Sequence, residues 1–292
     1  MIVDLSNIKS GFSDKLRAIT FYIAINKLKP KESKIFYIFE KRTKECPFRF
    51  IDYCGIKNIK IIKLKSKRVS TINLNSYNTE ITIKNVAKNN PFKTIKNITL
   101  FEEWKRSYKK IIPGIKIKRK LKINNLPKNT LGLHLRTTDR TLKFSRILNI
   151  QFKDTIFDFQ LEFFKKNIYK ILKNSSKFNN IYIAADSKNI KDFIISSLEK
   201  KKYNIYYNNL IFKKGFRKTS GEDFLIDFFS LSKCKLILST VGAGVTQSIF
   251  LIKGKKIINW NNQFNRFFFI RLISLFIISL KKIKNNFYSK FF

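Results

Sequence analysis

Histidine, cysteine, glycine and acidic side chains are all scarce in this chain, and each scarcity narrows what the protein can be. Its one histidine is His134. A Ser–His–acid triad would have to use that ring, and no Gly-x-Ser-x-Gly turn accompanies it. The three cysteines, Cys46, Cys54 and Cys234, form no Cys-x-x-Cys pair and no Cys/His ligand set. An odd, sparse count suits a reducing compartment better than a disulfide framework, although Cys46 and Cys54 remain a conceivable pair. No Asp-x-Asp occurs, so a divalent-metal site of the kind that holds nucleotide-sugar diphosphates is not evident. No Gly-x4-Gly-Lys-Ser/Thr or His-Glu-x-x-His appears either. MIVDLSNIKS shows no basic stretch followed by an apolar core, so no secretory signal is expected. The apolar run Phe267–Leu280 is 14 residues long and contains Arg271. Roughly 18 uninterrupted apolar residues are needed to cross a bilayer, so no transmembrane helix is expected there.

What the chain does have is hydrophobic bulk and positive charge. Of its 292 residues, 44% are hydrophobic, enough to bury a core and to exclude a wholly disordered chain. Lys+Arg number 61 against 19 Asp+Glu, a formal net charge of +42. Nearly all the surplus is lysine, spread along the chain and accompanied by many Ile and Asn, by 30 Phe and by only 9 Gly. An A/T-biased coding sequence produces that mixture without selection for charge; a functional basic surface is the other reading. Either draws anionic partners electrostatically, most strongly at low salt.

Periodicity divides the chain. In the first part, Ile2–Leu5 is short and apolar, and Asp14–Lys29 follows the turn at Gly11–Ser13 as a predicted helix. Strands are expected at Ile35–Phe39 and Ile56–Leu64, and a helix at Phe101–Ile112. Pro113-Gly114 and the basic, Pro-containing run to Thr130 read as a linker or a domain boundary. Beyond it, strands (Leu131–Arg136, Asn180–Ala185, Tyr203–Tyr207, Lys235–Ser239, Lys256–Trp260) alternate with helices (Phe157–Leu172, Ile190–Lys200, Gly221–Leu231, Val245–Ile252). Such alternation predicts a parallel sheet in an α/β domain. The expected units are 1–115, 116–262, and a basic, Phe-rich amphipathic helix over 263–292. That last helix either packs back on the body or anchors on anionic lipid.

In parallel sheets, sites gather beyond the carboxyl ends of strands. Three stretches fall there. Gly132-Leu-His134-Leu-Arg136-Thr-Thr-Asp139-Arg140 puts His134 and Arg136 on one strand face. A guanidinium at the strand end can hold a phosphate in two-pronged fashion, and Asp139 could lock Arg136 or Arg140. The alternative is a satisfied histidine and a structural Arg–Asp pair. Ser239-Thr-Val-Gly242-Ala243-Gly244-Val-Thr246-Gln247 offers backbone N–H groups at a helix start as an anion seat. As a dinucleotide fingerprint it is weak, because Gln247 stands where the third Gly belongs. Glu222, Asp223 and Asp227 open the preceding predicted helix. They either serve the helix dipole or, with Asp223 and Asp227 four apart on one face, present a carboxylate that accepts hydrogen bonds from a base such as guanine. Asp186 ends its strand with the same two readings.

Four of these features, in one order, resemble the fucosyltransferase superfamily that includes the α-1,6-, nodulation and protein O-fucosyltransferases. Gly11-Phe-Ser13-Asp14-Lys-Leu-Arg17 resembles its N-terminal Gly-x-Gly loop, with Ser13 for the second Gly. His134-Leu-Arg136-Thr-Thr-Asp139 resembles its His-x-Arg-Arg-Thr-Asp motif, with Thr137 for the second Arg. Ile181–Asp186 resembles its strand ending Ala-Thr-Asp, and Asp227 through Val245 resembles its last motif. The resemblance implies a GT-B fold, two Rossmann-like domains with a cleft between them, and a metal-independent, inverting transferase using a GDP-sugar, most often GDP-fucose. It implies that Arg136 grips the β-phosphate, that His134 and Asp227 contact guanosine, and that Gly242-Ala243-Gly244 seats the diphosphate. No separate cofactor is implied. Gly242 and Ala243 replace usual serines, and no acid follows Asp139 where some members place a base. A glycan acceptor, a cytoplasmic location with possible membrane contact through 264–292, and no specific nucleic acid complete the expectation. A basic nucleic-acid or anionic-surface binder without catalysis is the alternative. It predicts steeply salt-dependent DNA binding.

Overall fold

The computed structural model describes residues 1–8, 11–43, 46–64, 95–123, 125–135, 178–186, 188–199, 203–209, 220–239, 244–253 and 256–259. Arg136, Thr137, Asp139, Arg140, Gly242 and Ala243 lie outside them, as do the predicted helix Phe157–Leu172 and the segment 263–292.

The first unit is built on three parallel strands, β1 (Ile2–Asp4), β2 (Ile35–Phe39) and β4 (Lys60–Lys63), in the order β1-β2-β4. Helix α1 (Phe12–Lys27) connects β1 to β2 and is buried along most of its length, including Leu16, Ala18, Ile19, Phe21, Ile23 and Ala24. It starts at Phe12 rather than Asp14 because Gly11 takes the extended N-cap conformation, and its carbonyl accepts the Asp14 N–H at 3.0 Å. The expected strand Ile56–Leu64 is two strands. β3 (Cys54–Ile56) turns through Asn58, at φ 63°, into β4; asparagine is one of the few residues that tolerate that left-handed backbone. β3 pairs antiparallel with β5 (Ile111–Pro113). The expected helix Phe101–Ile112 therefore ends early. α3 (Ile98–Ser107) passes through one 3₁₀ turn into β5. A four-residue helix, α2 (Phe50–Tyr53), precedes β3.

The basic run expected as a linker also contains structure: α4 spans Ile115–Ile123. Ile117 and Leu121, four apart on one face, are buried in the core, while Lys116, Lys118, Arg119 and Lys120 stay exposed. The lysines conceal a pattern of only two apolar anchors.

The second sheet has five parallel strands: β6 (Thr130–Leu135), β7 (Asn180–Ala185), β8 (Asn204–Tyr207), β9 (Leu236–Ser239) and β10 (Lys256–Asn259). Their spatial order is β10-β9-β6-β7-β8. The chain thus runs outward from β6 to β8, then returns to the other side of β6. This is the doubly wound order, with its topological switch between β6 and β9. Helices α5 (Lys188–Glu199), α6 (Gly221–Lys233) and α7 (Gly244–Lys253) connect the strands.

Period-2 alternation sorts this sheet's two faces. Leu131, Leu133, Leu135, Ile181, Ile183 and Leu238 pack with Ile194 and Leu198 of α5. Tyr182, Ala184 and Ile237 face the other way, into the cluster that contains α6, α7 and the whole core of the first unit. Gly132 lies under α6, and a Cβ there would come within 3.0 Å of Leu231 and 3.1 Å of Cys234 Sγ. The absent side chain lets α6 approach the sheet. Cys234, Cys46 and Cys54 are all free and buried, so the conceivable Cys46–Cys54 disulfide is not formed.

Phe12 and Phe48 of the first unit meet Phe224 and Phe228 of α6, with Phe12–Phe228 centroids 5.9 Å apart and Phe50 stacked on Phe12. Arg17 of α1 donates from Nη2 to Gln247 Oε1 of α7 at 2.9 Å and pairs through Nη1 with Asp14 at 3.0 Å. The two units thus share one apolar core and a polar bridge.

Candidate functional site

The switch between β6 and β9 brings together side chains 105 residues apart in sequence. His134 pairs in register with Ser239, both near the carboxyl ends of their strands. His134 Nδ1 lies 2.9 Å from Thr246 Oγ1 and 3.2 Å from Ser239 Oγ, and the two hydroxyl oxygens are 2.6 Å apart. Thr246 stands in the first turn of α7, which begins at Gly244. Ser239 and Thr246 are buried, and His134 is half-buried. A helix N-terminus, a histidine and two hydroxyls thus converge where a doubly wound sheet binds ligands.

Asp186 follows the end of β7 and donates its N–H to the Leu135 carbonyl at 3.1 Å, so it sits beside the end of β6. Gly11, Asp14 and Arg17 of the N-terminal loop and helix are linked to the same region through Gln247, the residue after Thr246. Arg17 is held further by Trp104, which donates from Nε1 to the Arg17 carbonyl at 3.4 Å.

The three acids of α6 do different things. Ser220 caps the helix, accepting the Asp223 N–H at 3.1 Å while its hydroxyl donates to Asp223 Oδ2 at 2.7 Å. Glu222 pairs with exposed Lys120 at 2.6 Å. These two match the helix-start reading. Asp227 instead points to the sheet, where Tyr182 Oη donates to its Oδ1 at 2.7 Å. Desolvation raises the Asp227 pKa to about 7, with nearby Asp223 adding to the rise, while the Tyr182 hydrogen bond and Lys191 oppose it. Burial also pushes the Tyr182 phenol well above its usual value, so it remains a donor. A cavity of about 280 Å³, lined by Tyr182, Ile205, Tyr206, Tyr207 and Asn209, adjoins this pair at the β8 edge. That is near the small end of the range for ligand pockets, roughly 300–1,000 Å³. Among the described residues, no group of three His, Cys, Asp or Glu could hold a metal ion.

The raised carboxyl has a measurable consequence. The folded protein binds the Asp227 proton more tightly than the unfolded chain does. Its contribution therefore favours folding below the usual carboxylate value of 3.8, and is lost as pH rises through about 7. Asp227→Asn should remove this loss, so in thermal melts the variant should gain on the wild type between pH 5 and pH 8. Parallel pH profiles for the two proteins would assign the raised pKa to another group.

The sequence singled out His134, Asp227 and Gly244, and the fold sets them on one side of the second sheet. It did not reveal that Ser239 and Thr246 hold His134, that Tyr182 holds Asp227, or that Gln247 meets Arg17. Ser239 at a strand end and Thr246 just past a glycine turn were visible in the pattern. Only the strand order makes them neighbours of His134.

No protein-family model matches the chain, and no curated protein sequence matches it. Among solved structures, it is similar to the NodZ α-1,6-fucosyltransferase co-crystallized with GDP. Identity is 13%, 88% of this chain and 93% of that chain are covered, and the TM-score is 0.51. It is also similar to POFUT1 in complex with GDP (9% identity, 88% and 97% covered, TM-score 0.50) and in complex with GDP-fucose (8% identity, 87% and 94% covered, TM-score 0.50). The chain has the α/β fold of these fucosyltransferases, the GT-B type that the motif resemblance implies.

Proposed function

We propose that the protein is a glycosyltransferase that takes a GDP-sugar, GDP-fucose first among them, and transfers the sugar to a glycan hydroxyl with inversion and without a metal. The observation that carries this reading is the convergence of His134, Ser239, Thr246 and the start of α7 at the switch point. It occurs in a chain whose fold resembles, over most of its length, structures of fucosyltransferases with GDP or GDP-fucose bound. Metal independence rests on the resemblance and on the lack of Asp-x-Asp in the sequence.

In this reading the acceptor oxygen attacks the anomeric carbon as the bond to the GDP β-phosphate breaks. The leaving diphosphate gains negative charge. Arg136, one residue past Leu135, and the backbone N–H groups of the Gly242–Gly244 turn are assigned to that charge, because preorganised donors are most effective where charge develops. Asp139 is assigned to orienting Arg136. His134, Asp186 and Asp227 are assigned to the nucleoside, with Tyr182 holding the Asp227 carboxylate in place. A location at the cytoplasmic face of a membrane, with 264–292 touching anionic lipid, belongs to the same proposal and rests on composition alone.

A nucleotide panel tests the donor. GDP should raise the melting temperature in a saturable way, whereas UDP and CDP should do so only at much higher concentration. A clear preference for UDP would remove the GDP-sugar assignment. Salt-sensitive DNA binding with no response to any nucleotide would favour the alternative of a basic binding protein.

A further inference from the structure

We infer that Arg17 and Gln247 are positioning residues for the donor site of the transferase proposed above, a reading on which the inference rests: their bridge locks the start of α7 to α1 and thereby holds Thr246 on His134, in place for a nucleoside diphosphate.

Thr246 and Gln247 are adjacent in α7, so their side chains leave the helix about 100° apart. One goes to the second sheet, where Thr246 Oγ1 lies 2.9 Å from His134 Nδ1. The other goes to the first unit, where Gln247 Oε1 accepts from Arg17 Nη2 at 2.9 Å. The helix is therefore gripped at one level from two sides. Arg17 is prepared for this role. It lies three residues after Asp14 on α1, and Asp14 Oδ1 accepts from its Nη1 at 3.0 Å. With one arm held, the planar fork aims the other across the interface; the compact ammonium of a lysine lacks that fixed two-armed geometry. The backbone beneath is held too, since the Arg17 carbonyl accepts from fully buried Trp104 at 3.4 Å and from Thr20 Oγ1 at 2.9 Å.

Adhesion between the units does not depend on this bridge. Phe12, Phe48, Phe224 and Phe228 already join them, and Val245, Ile249 and Ile252 of α7 are buried in the same core. Apolar burial is non-directional, whereas a hydrogen bond weakens steeply with distance and angle. The bridge therefore sets the rotation of α7 about its own axis. A change there passes to Thr246, one residue away, and from Thr246 to the His134 ring.

The test uses the full chain, whose single histidine gives ¹⁵N-labelled ring signals of His134 without overlap. Gln247→Leu removes the acceptor and keeps the net charge. It should shift the unliganded ring signals and weaken GDP binding about tenfold, the loss expected for one hydrogen bond with a charged partner. Arg17→Met should weaken GDP binding at least as much. The double variant should bind GDP no more weakly than Arg17→Met alone, because both changes remove one bridge. Phe48→Leu thins the aromatic seam between the same two units. It should lower the melting temperature and leave the ring signals and GDP affinity as in the wild type. Should Gln247→Leu fail to fold, Arg17→Lys, which keeps a cation beside Asp14, is read in its place. Ring signals unmoved by the bridge variants, unchanged GDP affinity, additive losses in the double variant, or equal losses from Phe48→Leu each overturn the inference. Failure of the wild type to bind GDP would instead take down the transferase reading, and the ring signals would then judge the bridge by themselves.

Discussion

Arg136→Ala is expected to lower sugar transfer by a factor on the order of 10²–10³, with far-UV circular dichroism and melting temperature close to wild type. The argument starts from the strand order. β6 is the first strand of the doubly wound sheet, and its carboxyl end lies at the switch point beside β9. Arg136 is the next residue after that end. A guanidinium is always charged and presents a planar fork of donors that suits phosphate oxygens. In the transferase reading, the diphosphate gains charge as the sugar departs, so loss of the fork weakens the transition state more than the ground state. The effect should therefore fall mainly on kcat. Steady-state kinetics with GDP-fucose, beside a GDP binding isotherm, separates the two. Wild-type turnover in Arg136→Ala would falsify the assignment of this residue.

Glu40→Ala should cost about 3–5 kcal/mol of folding stability in urea denaturation, because it strands a buried cation. Lys15 and Glu40 are both fully buried and pair at 2.9 Å. Lys15 also donates to the carbonyls of Lys41 and Phe48 at 3.1 and 3.4 Å, and Glu40 accepts the N–H groups of Phe50 and Ile51 at 2.9 and 3.4 Å. The pair therefore ties α1 to the backbone on both sides of the loop after β2. That loop carries Phe48 and Phe50 into the aromatic cluster against α6. Removing one partner leaves the other charged and desolvated, whereas removing both does not. The double variant Lys15→Met/Glu40→Leu should therefore recover most of the loss, short of what the unpaired Phe50 and Ile51 N–H groups cost. Equal destabilisation by the single and double variants would show that the charge pairing is not what holds the loop.

How much of this was legible in the residues depends on the range of the interactions. Ile35–Phe39 and Asn180–Ala185 are strands with the bounds their alternation predicts, and α6 begins at Gly221 as expected. These elements are encoded by neighbours a few residues apart. The failures also have physical reasons. α4 looked like a linker because its helical face needs only Ile117 and Leu121, set among lysines. The strand expected at Ile56–Leu64 was broken by one left-handed asparagine. Helix α3 stops at Ser107 because the chain turns into β5 to pair with β3, a partner more than fifty residues earlier.

The sequence by itself determined the alternation of strands and helices, the single histidine, the lysine-dominated charge and the run of small residues that follows β9, because each is a property of composition or of local spacing. The tertiary structure alone decided which strand ends are neighbours. The order β10-β9-β6-β7-β8 is set by burial of both sheet faces against helices, and that burial is summed over the whole chain. It brings Ser239 and Thr246 onto His134, Tyr182 onto Asp227, and Gln247 onto Arg17. No local pattern specifies those pairs, since each contact is a by-product of packing between elements far apart in sequence.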